Sequence, residues 1–381
     1  MLEKRYLLTP GPVPCPPEVL AVMARPIVHH RSPDFVPAYA RVLESLPRVL
    51  QTTNDVALFT SSGTGAMESA VANLCSPGDR VVVVSAGNFG ERWATLAKAF
   101  GLELVHLKYG WGETPSADDV RARLAEVGGA RAVFLTQCET STGVVSDVQA
   151  MAAAAREAGA LSIVDAISSL AAVPLETDAW GVDVVVAGSQ KALMVPPGLA
   201  LASISPAALE AAKASTSPRF YYDWQRTLAA QAKEPPGAPF TPAHTLVLGL
   251  DVALRLIFET GLDVIFDRHR RLGRAARAGV KAMGLELFSP DEDRSAVVTA
   301  IRMPEGIDGQ AIYRAMRDRG VTGAGGQGEL RGKIVRIGHI GYVDVYEVVA
   351  ALDALEASLA DAGAPIERGV AASAALAAYR A

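Results

Sequence analysis

The chain has 381 residues, of which half are hydrophobic and a fifth are charged, and this composition predicts a folded globular protein. Its 36 basic and 41 acidic side chains give a net charge of −5, which argues against a nucleic-acid partner because nucleic acids are bound by clustered basic surfaces. The three cysteines, Cys15, Cys75 and Cys138, form no CxxC pair, so we expect neither a disulfide framework nor a metal site.

The N-terminal stretch "MLEKRYLLTPGPVP" lacks the apolar core of a signal peptide. Charges and glycines interrupt every apolar run before it reaches membrane-spanning length. We therefore expect a cytoplasmic protein with no membrane partner. The length allows one large domain and a smaller one.

Short apolar, β-branched runs alternate with helical patterns through the first two thirds of the chain. Continuous apolar strands separated by helices predict an α/β fold, with a mostly parallel seven-stranded sheet covered on both faces. The runs that predict strands are 56–61, 80–86, 103–108, 132–137, 161–166, 182–189 and 199–205.

The pattern changes after residue 206, where a Pro- and Gly-rich loop at 233–244 precedes a long helical pattern at about 244–284. Strand-like and helical runs then alternate in an order that predicts a smaller α+β unit. These runs are strand 297–303, helix 309–320, strand 333–341 and helix 344–361. We divide the chain into an N-terminal segment (1–20), a large domain (21–259), a small C-terminal domain (260–362) and a tail (363–381), which is either a terminal helix or frayed chain.

Polar residues follow several of the predicted strands. They are "SSGTG" (61–65), "ETSTG" (139–143), Asp165 and "SQK" (189–191). Because ligands of open α/β sheets bind outside the carboxyl ends of the strands, we expect these residues to converge in one cleft.

The stretch "SSGTGAMESA" (61–70) reads as a small-residue turn that leads into a helix. Free amides at a helix N-terminus attract phosphate, and glycine lets a ligand approach the backbone closely. The GxxxxGK[ST] spacing of a Walker loop is missing. An ordinary capped helix start is the alternative interpretation.

Asp165 and Lys191 are ionisable residues at the ends of apolar strands. Strand interiors are depleted in Asp, so Asp165 indicates either a functional acid or a turn residue. A lysine in an apolar pocket has a lowered pKa and can form a Schiff base, whereas the alternative is a lysine whose head reaches water. A phosphate cradle, an acid for a ring nitrogen and an amine that captures an aldehyde are together what pyridoxal phosphate requires.

These stretches, in this order, resemble the class V, fold-type I pyridoxal-phosphate aminotransferases, close to the alanine–glyoxylate and serine–pyruvate group. The resemblance covers about residues 5–360. It rests on "LLTPGPVP", "SSGTGAMES", "NFGER", "ETSTG", "VDAISSL", "GSQKAL", "VPPG" and "VRIG".

The resemblance implies a role for each matching residue. Lys191 would be the Schiff-base lysine and Asp165 the partner of the pyridine nitrogen, and these two would be catalytic. Phe89 and Ile167 would lie against the two faces of the ring. The full set that would bind the cofactor is Ser62, Gly63, Thr64, Phe89, Ser141, Asp165, Ile167, Gln190, Lys191 and Thr241.

Substrate contacts and a homodimer with shared active sites are also implied. Arg336 would grip the substrate carboxylate as a bidentate fork, which a lysine could not copy, and Gly11 would lie nearby, so that the segment 1–20 packs near the site. Thr241, in "FTPAH", would reach the phosphate of the neighbouring subunit. Relatives often carry a tyrosine a few residues before this threonine, and the residues near Ala238 lack it.

The expected activity is transfer of an amino group from alanine or serine to glyoxylate or pyruvate, with an acidic donor or a 2-aminophosphonate as further possibilities. A related lyase or cysteine desulfurase is one alternative. Desulfurases usually have a histidine before the lysine and a later cysteine, whereas here Gln190 precedes Lys191 and no cysteine follows Cys138. A non-catalytic subunit that retains the fold is the other alternative. The sequence assigns no role to the "HHR" stretch at 29–31.

Overall fold

A computed structural model describes residues 4–289 and 296–381. Residues 1–3 of the predicted N-terminal segment and residues 290–295 of the predicted small domain lie outside this range. The described strands are β1 (Tyr6–Leu7), β2 (Asp55–Ser61), β3 (Arg80–Ser85), β4 (Glu103–Lys108), β5 (Ala132–Thr136), β6 (Cys138–Glu139), β7 (Val144–Val145), β8 (Leu161–Asp165), β9 (Val184–Gly188), β10 (Gly198–Ile204), β11 (Val298–Arg302), β12 (Val321–Thr322), β13 (Ala324–Gly325) and β14 (Ile334–Gly338).

Helices connect most of these strands. The described α-helices are α1 (Pro17–Met23), α2 (Val36–Val49), α3 (Gly63–Leu74), α4 (Asn88–Ala99), α5 (Ala117–Glu126), α6 (Val148–Glu157), α7 (Thr177–Trp180), α8 (Pro206–Ala212), α9 (Trp224–Gln231), α10 (His244–Thr260), α11 (Leu262–Ala282), α12 (Gly309–Asp318), α13 (Val345–Asp361) and α14 (Ala371–Arg380). Within the described ranges, none of these helices is both long and apolar enough to cross a membrane.

The central sheet has seven strands in the order β2-β10-β9-β8-β5-β3-β4. The seven runs predicted as strands form it, and the mostly parallel sheet is confirmed. Strand β10 alone runs against its two neighbours, β2 and β9, and the remaining strand pairs are parallel. The carboxyl ends of the parallel strands therefore meet at one edge of the sheet.

The strand order reverses between β3 and β5, because the chain passes from β3 outward to β4 and returns to β5 on the other side of β3. This reversal is a topological switch point, where an open α/β sheet leaves a crevice between neighbouring loops. The loops that border the crevice follow β3 and β5. They carry the "NFGER" and "ETSTG" stretches of the sequence.

Both faces of the sheet are buried, as its continuous apolar strands predict. Successive residues of β3 alternate between two cores: Val82 and Val84 lie in one hydrophobic cluster, and Val81 and Val83 lie in the other. This alternation follows from the two-residue period of a strand. Helices on both faces fill these clusters, so the sheet provides a rigid base for the loops at its edge.

The C-terminal part has its own core around the antiparallel strands β11, β14 and β13. The helical pattern predicted at about 244–284 is two helices rather than one. Gly261 separates α10 from α11 with φ +92, a backbone conformation that favours glycine. The tail, left open between helix and frayed chain, contains α14, whose Tyr379 carbonyl accepts a hydrogen bond from Arg271 of α11 at 2.8 Å. The domain boundaries stay predictions.

The N-terminal segment connects the two cores. Strand β1 pairs in parallel with β12, and the carbonyl of Leu8 accepts a hydrogen bond from the amide of Gly338 at the end of β14. A few residues later the amide of Val13 donates to the carbonyl of Gln190, beyond β9. The stretch between Leu8 and Val13 therefore crosses from the small sheet to the carboxyl edge of the large one.

Candidate active site

Lys191 lies just beyond β9 and is 8% exposed. Its Nζ donates a hydrogen bond to the carbonyl of Pro10 at 2.6 Å. Burial lowers the pKa of this amine to about 8, so about a fifth of it is neutral near pH 7.4, far more than for an ordinary lysine. The amine is thus a buried nucleophile held by the N-terminal segment.

Gly11 packs directly against the lysine. A Cβ atom at this position would lie 2.3 Å from Lys191 Nζ, and the φ of +129 is one that other residues rarely adopt. Any side chain at residue 11 would therefore displace the amine. Gly11 was predicted from the resemblance as a substrate contact, and its described contact within the chain is with Lys191.

Asp165 ends β8, in the strand that pairs with β9, and is 4% exposed. Its Oδ1 accepts a hydrogen bond from the amide of Ile167 at 2.8 Å. Burial raises the pKa of this carboxyl to about 7, and the charge of Glu139 adds to the increase, whereas Arg92 and Lys191 oppose it. A carboxyl in this environment becomes fully ionised when a cation lies beside it.

The start of α3 has the features of an anion cradle. Its N-cap residue, Ser62, makes no side-chain capping hydrogen bond, so the first amides of the helix lack that partner. A Cβ atom on Gly63 would lie 2.6 Å from Ile167 Cδ1, and this close packing leaves room only for a glycine. The residues predicted to hold the phosphate and one ring face are therefore neighbours in the structure.

Gln190 adds a buried polar group to this cradle. Its Oε1 is buried with no hydrogen-bond partner, and a Cβ atom built on Gly188 would lie 2.9 Å from this oxygen and 3.3 Å from the amide nitrogen of Gly63. A buried amide oxygen without a hydrogen-bond partner beside a helix N-terminus fits a ligand site, because rotation of the amide would present its N–H groups to an anion instead.

Phe89, which the resemblance predicts to be a platform against one face of the ring, is held in place by Glu139, an acid to which the sequence assigned no role. The amides of Phe89 and Gly90, in the first turn of α4, donate to Glu139 Oε2 at 2.9 and 3.0 Å. Glu139 is 2% exposed, and burial raises its pKa while these hydrogen bonds oppose the increase. A carboxylate at a helix N-terminus also compensates the helix dipole. Glu139 therefore joins the loops on either side of the switch point.

Ser141 belongs to the same group of hydrogen bonds, which we call the clamp: Glu139, Ser141 and the first residues of α4. Its Oγ donates to Glu139 Oε1 at 2.5 Å and accepts from the amide of Asn88 at 3.0 Å. A Cβ atom on Gly87 would lie 2.5 Å from this hydroxyl, so the loops pack closely. Ser141 was predicted from the resemblance to bind the cofactor, and the structure places its hydroxyl between Glu139 and the start of α4.

Arg336 lies in β14 and is 3% exposed. Its guanidinium donates to two backbone carbonyls, that of Thr140 at 2.6 Å and that of Gly325 at 2.7 and 3.1 Å. Burial lowers its pKa to about 10, yet the group remains charged at neutral pH. The contact with Thr140 brings this arginine of the small sheet to the loop that follows β5.

Thr241 is the predicted cofactor residue that the structure does not place with this cluster. It lies between α9 and α10 and lines a small cavity with Thr60, Tyr221 and Phe240. Another hydroxyl lies near the cradle instead: the Oη of Tyr222 is 2.7 Å from Ser61 Oγ, and a Cβ atom on Gly65 would lie 2.4 Å from Tyr222 Oη. No sequence pattern indicated Tyr222, because it is far from this turn along the chain.

This fold and this site together define a class of protein. A mostly parallel sheet that brings a buried amine, a buried acid and an uncapped helix start to its carboxyl edge is the architecture of the fold-type I pyridoxal-phosphate enzymes. The family model described as "Aminotransferase class-V" matches residues 5–329, and the chain belongs to this family of aminotransferases. The family is dependent on pyridoxal phosphate.

Similar proteins cover nearly the whole chain. A protein named as the small subunit of a soluble hydrogenase from Synechococcus is 42% identical over 95% of this chain and 95% of its own length. An L-aspartate–glyoxylate aminotransferase from Paracoccus denitrificans is 37% identical over 100% of this chain and 97% of its own. The crystal structure of a ureidoglycine–glyoxylate aminotransferase from Bacillus subtilis superposes with a TM-score of 0.94 at 32% identity, covering 100% of this chain and 99% of that one.

Proposed function

We propose that this aminotransferase binds pyridoxal phosphate through Lys191 and moves an amino group from a small donor, alanine or serine, to glyoxylate or pyruvate. The observation that carries the proposal is the buried amine of Lys191, whose pKa is lowered to about 8 beside the buried carboxyl of Asp165. Two relatives with similar chains are named for glyoxylate, which supports glyoxylate as the first acceptor to test.

Each residue of the site would contact a different part of the cofactor. Lys191 would hold the aldehyde, Asp165 the ring nitrogen, Phe89 and Ile167 the two ring faces, and Ser141 would lie at the edge of the ring. The phosphate would lie at Ser62, Gly63, Thr64 and Gln190, with Thr241 supplied by a second copy of the chain. When bound, pyridoxal phosphate supplies an aldehyde and a ring that accepts electrons from Cα of the amino acid.

The chain itself supplies proton transfer, charge and orientation. Lys191 can gain and lose a proton at Nζ near neutral pH, because its pKa is about 8. Asp165 supplies the negative charge that stabilises a protonated ring nitrogen. Arg336 keeps a fixed positive charge and orients a substrate carboxylate. Gly11 and Pro10 cover the amine and limit the access of water.

A homodimer with shared active sites follows from the place given to Thr241. The exposed aromatic residues Phe220 and Tyr221 lie beside Phe240, next to Thr241 in the chain, with ring centroids 5.6 and 5.2 Å from that of Phe240. Such a surface fits burial against a second copy. The cytoplasmic location expected from the sequence is also part of this proposal.

A half-reaction screen tests the proposed donor. The protein loaded with pyridoxal phosphate receives alanine, serine or aspartate without an acceptor, and the formation of pyridoxamine phosphate is followed by absorbance. We expect conversion with alanine or serine, recovery of pyridoxal phosphate on addition of glyoxylate, and no conversion in Lys191→Ala. Lys213→Ala, which removes an exposed lysine paired with Glu210, is the matched control.

The outcomes separate the candidate activities. Conversion with aspartate but not with alanine or serine would replace the small donor with an acidic one. Release of alanine from cysteine would favour the desulfurase alternative. A wild-type protein that takes up no pyridoxal phosphate would contradict both enzymes and favour the non-catalytic subunit.

A further inference from the structure

Arg92 connects two parts of the site, although neither composition nor motif assigns it a role. It lies on α4, three residues after Phe89, so the two side chains share one face of the helix. Its Nη1 donates a hydrogen bond to Thr64 Oγ1 at 2.9 Å, and its guanidinium carbon lies 4.8 Å from the centre of the Phe89 ring. Arg92 thus contacts both the ring platform and the start of α3.

The hydrogen bond to Arg92 determines what the Thr64 hydroxyl can do. A hydroxyl has one proton to donate and can accept through its lone pairs, and a guanidinium can only donate. Because Thr64 Oγ1 accepts from Arg92, its own proton is available for another acceptor. The hydroxyl belongs to the first turn of α3, where the free amides of the helix also favour an acceptor.

The charge of the cradle also indicates that Arg92 acts on the phosphate. The side chains that would hold the phosphate, those of Ser62, Thr64, Gln190 and Thr241, are all neutral, whereas a phosphate monoester carries a charge of about −1.5 to −2 at neutral pH. The guanidinium of Arg92 is the cation bonded to one of these side chains. Its charge also reaches Asp165 and Lys191, since it lowers the pKa of both groups.

We propose that Arg92 is a positioning residue for the phosphate of the cofactor: it orients the Thr64 hydroxyl as a donor to a phosphate oxygen and supplies positive charge at the start of α3. This inference rests on the proposed function, because it requires that the chain binds pyridoxal phosphate at this site. The contact with Phe89 gives Arg92 a second, purely structural role, and the experiment must separate the two.

Comparison of pyridoxal phosphate with pyridoxal makes this separation, because the two ligands differ only in the phosphate. Dissociation constants for both are measured on the apoprotein of the wild type, Arg92→Met and Thr64→Val by absorbance titration at two salt concentrations. We expect Arg92→Met to weaken binding of pyridoxal phosphate about tenfold or more, and binding of pyridoxal by less than about twofold. The salt dependence for pyridoxal phosphate should decrease in Arg92→Met.

The control is Lys98→Met, which removes the same charge from an exposed position of the same helix and should leave both affinities unchanged. Thr64→Val should selectively weaken binding of pyridoxal phosphate, and the double variant should lose less than the sum of the single losses, because the two residues act as a unit.

Three results would overturn the inference. Equal weakening of both ligands in Arg92→Met would show that Arg92 acts through the Phe89 platform. Unchanged pyridoxal phosphate affinity in Thr64→Val, or additive losses in the double variant, would show that Arg92 does not act through Thr64. A wild-type protein that binds neither ligand would instead refute the proposed function, so the two failures are distinguishable.

Discussion

Replacement of Asp165 by asparagine should stabilise the apoprotein in a pH-dependent way. The carboxyl is 4% exposed and its pKa is raised from 3.8 to about 7, mainly because burial penalises the charged form. Since the pKa is higher in the folded state than in the unfolded state, the stabilising contribution of this group is fully present below pH 3.8. It is lost as the pH rises through about 7.

The size of the effect follows from the two pKa values. One pKa unit corresponds to about 1.36 kcal/mol, so the full loss between low and high pH is at most about 4 kcal/mol. Between about pH 5 and about pH 8 the free energy of unfolding of the wild type should fall by about 2–3 kcal/mol relative to that of Asp165→Asn. Urea unfolding of both apoproteins at the two pH values measures this difference.

The matched control is Asp55→Asn, which alters an exposed carboxylate at the start of β2 and should show no such divergence from the wild type. A free-energy difference between Asp165→Asn and the wild type that stays constant from about pH 5 to about pH 8 would refute the reasoning. If Asp165 pairs with the ring nitrogen as proposed, the order should reverse with pyridoxal phosphate bound, because a carboxylate stabilises a cationic nitrogen and an amide does not.

Two further predictions concern the amine and the clamp. If the neutral amine of Lys191 is the nucleophile, as proposed, the rate at which the apoprotein captures pyridoxal should rise with pH and level off above about pH 8. A rate in stopped-flow absorbance that keeps rising to about pH 10 would contradict the lowered pKa. Glu139→Gln should lower the free energy of unfolding by about 2–4 kcal/mol, because an amide cannot accept all the hydrogen bonds that the carboxylate accepts at both oxygens. The exposed control Glu103→Gln should lose about 1 kcal/mol or less in the same urea titration, and equal losses would refute this role for Glu139.

The sheet could be predicted from the sequence because its signals are local. A fully buried strand requires a continuous apolar run, and each of the seven runs identified forms a strand of the central sheet. Both Asp165 and Lys191 interrupt the apolar pattern at strand ends, so their positions at the edge of the sheet followed from the same signal. The break at Gly261 was missed because the apolar periodicity continues across it, and a single glycine is also tolerated inside helices.

The contacts that position the site could not be predicted, because they join distant parts of the chain through the backbone. The carbonyl of Pro10 accepts from Lys191, and the amides of Phe89 and Gly90 donate to Glu139. Backbone groups are the same at every residue, so no side-chain pattern identifies which carbonyl or amide will be used. Glu139 stood within a quoted motif, yet its role depends on where α4 begins.

The hydrogen bonds around Glu139 and Thr140 also connect the site to the small sheet. Residues 139 and 140 are adjacent: the side chain of Glu139 holds the start of α4, and the carbonyl of Thr140 holds Arg336 of the small sheet. A displacement of this loop would therefore move Phe89 at the start of α4 and Arg336 of the small sheet together. Since Lys191 is held by Pro10, and Leu8 is held by Gly338 of the same small sheet, the amine depends on the position of that sheet as well. The chemical groups come from strand ends, but their mutual geometry comes from these two connections between the sheets.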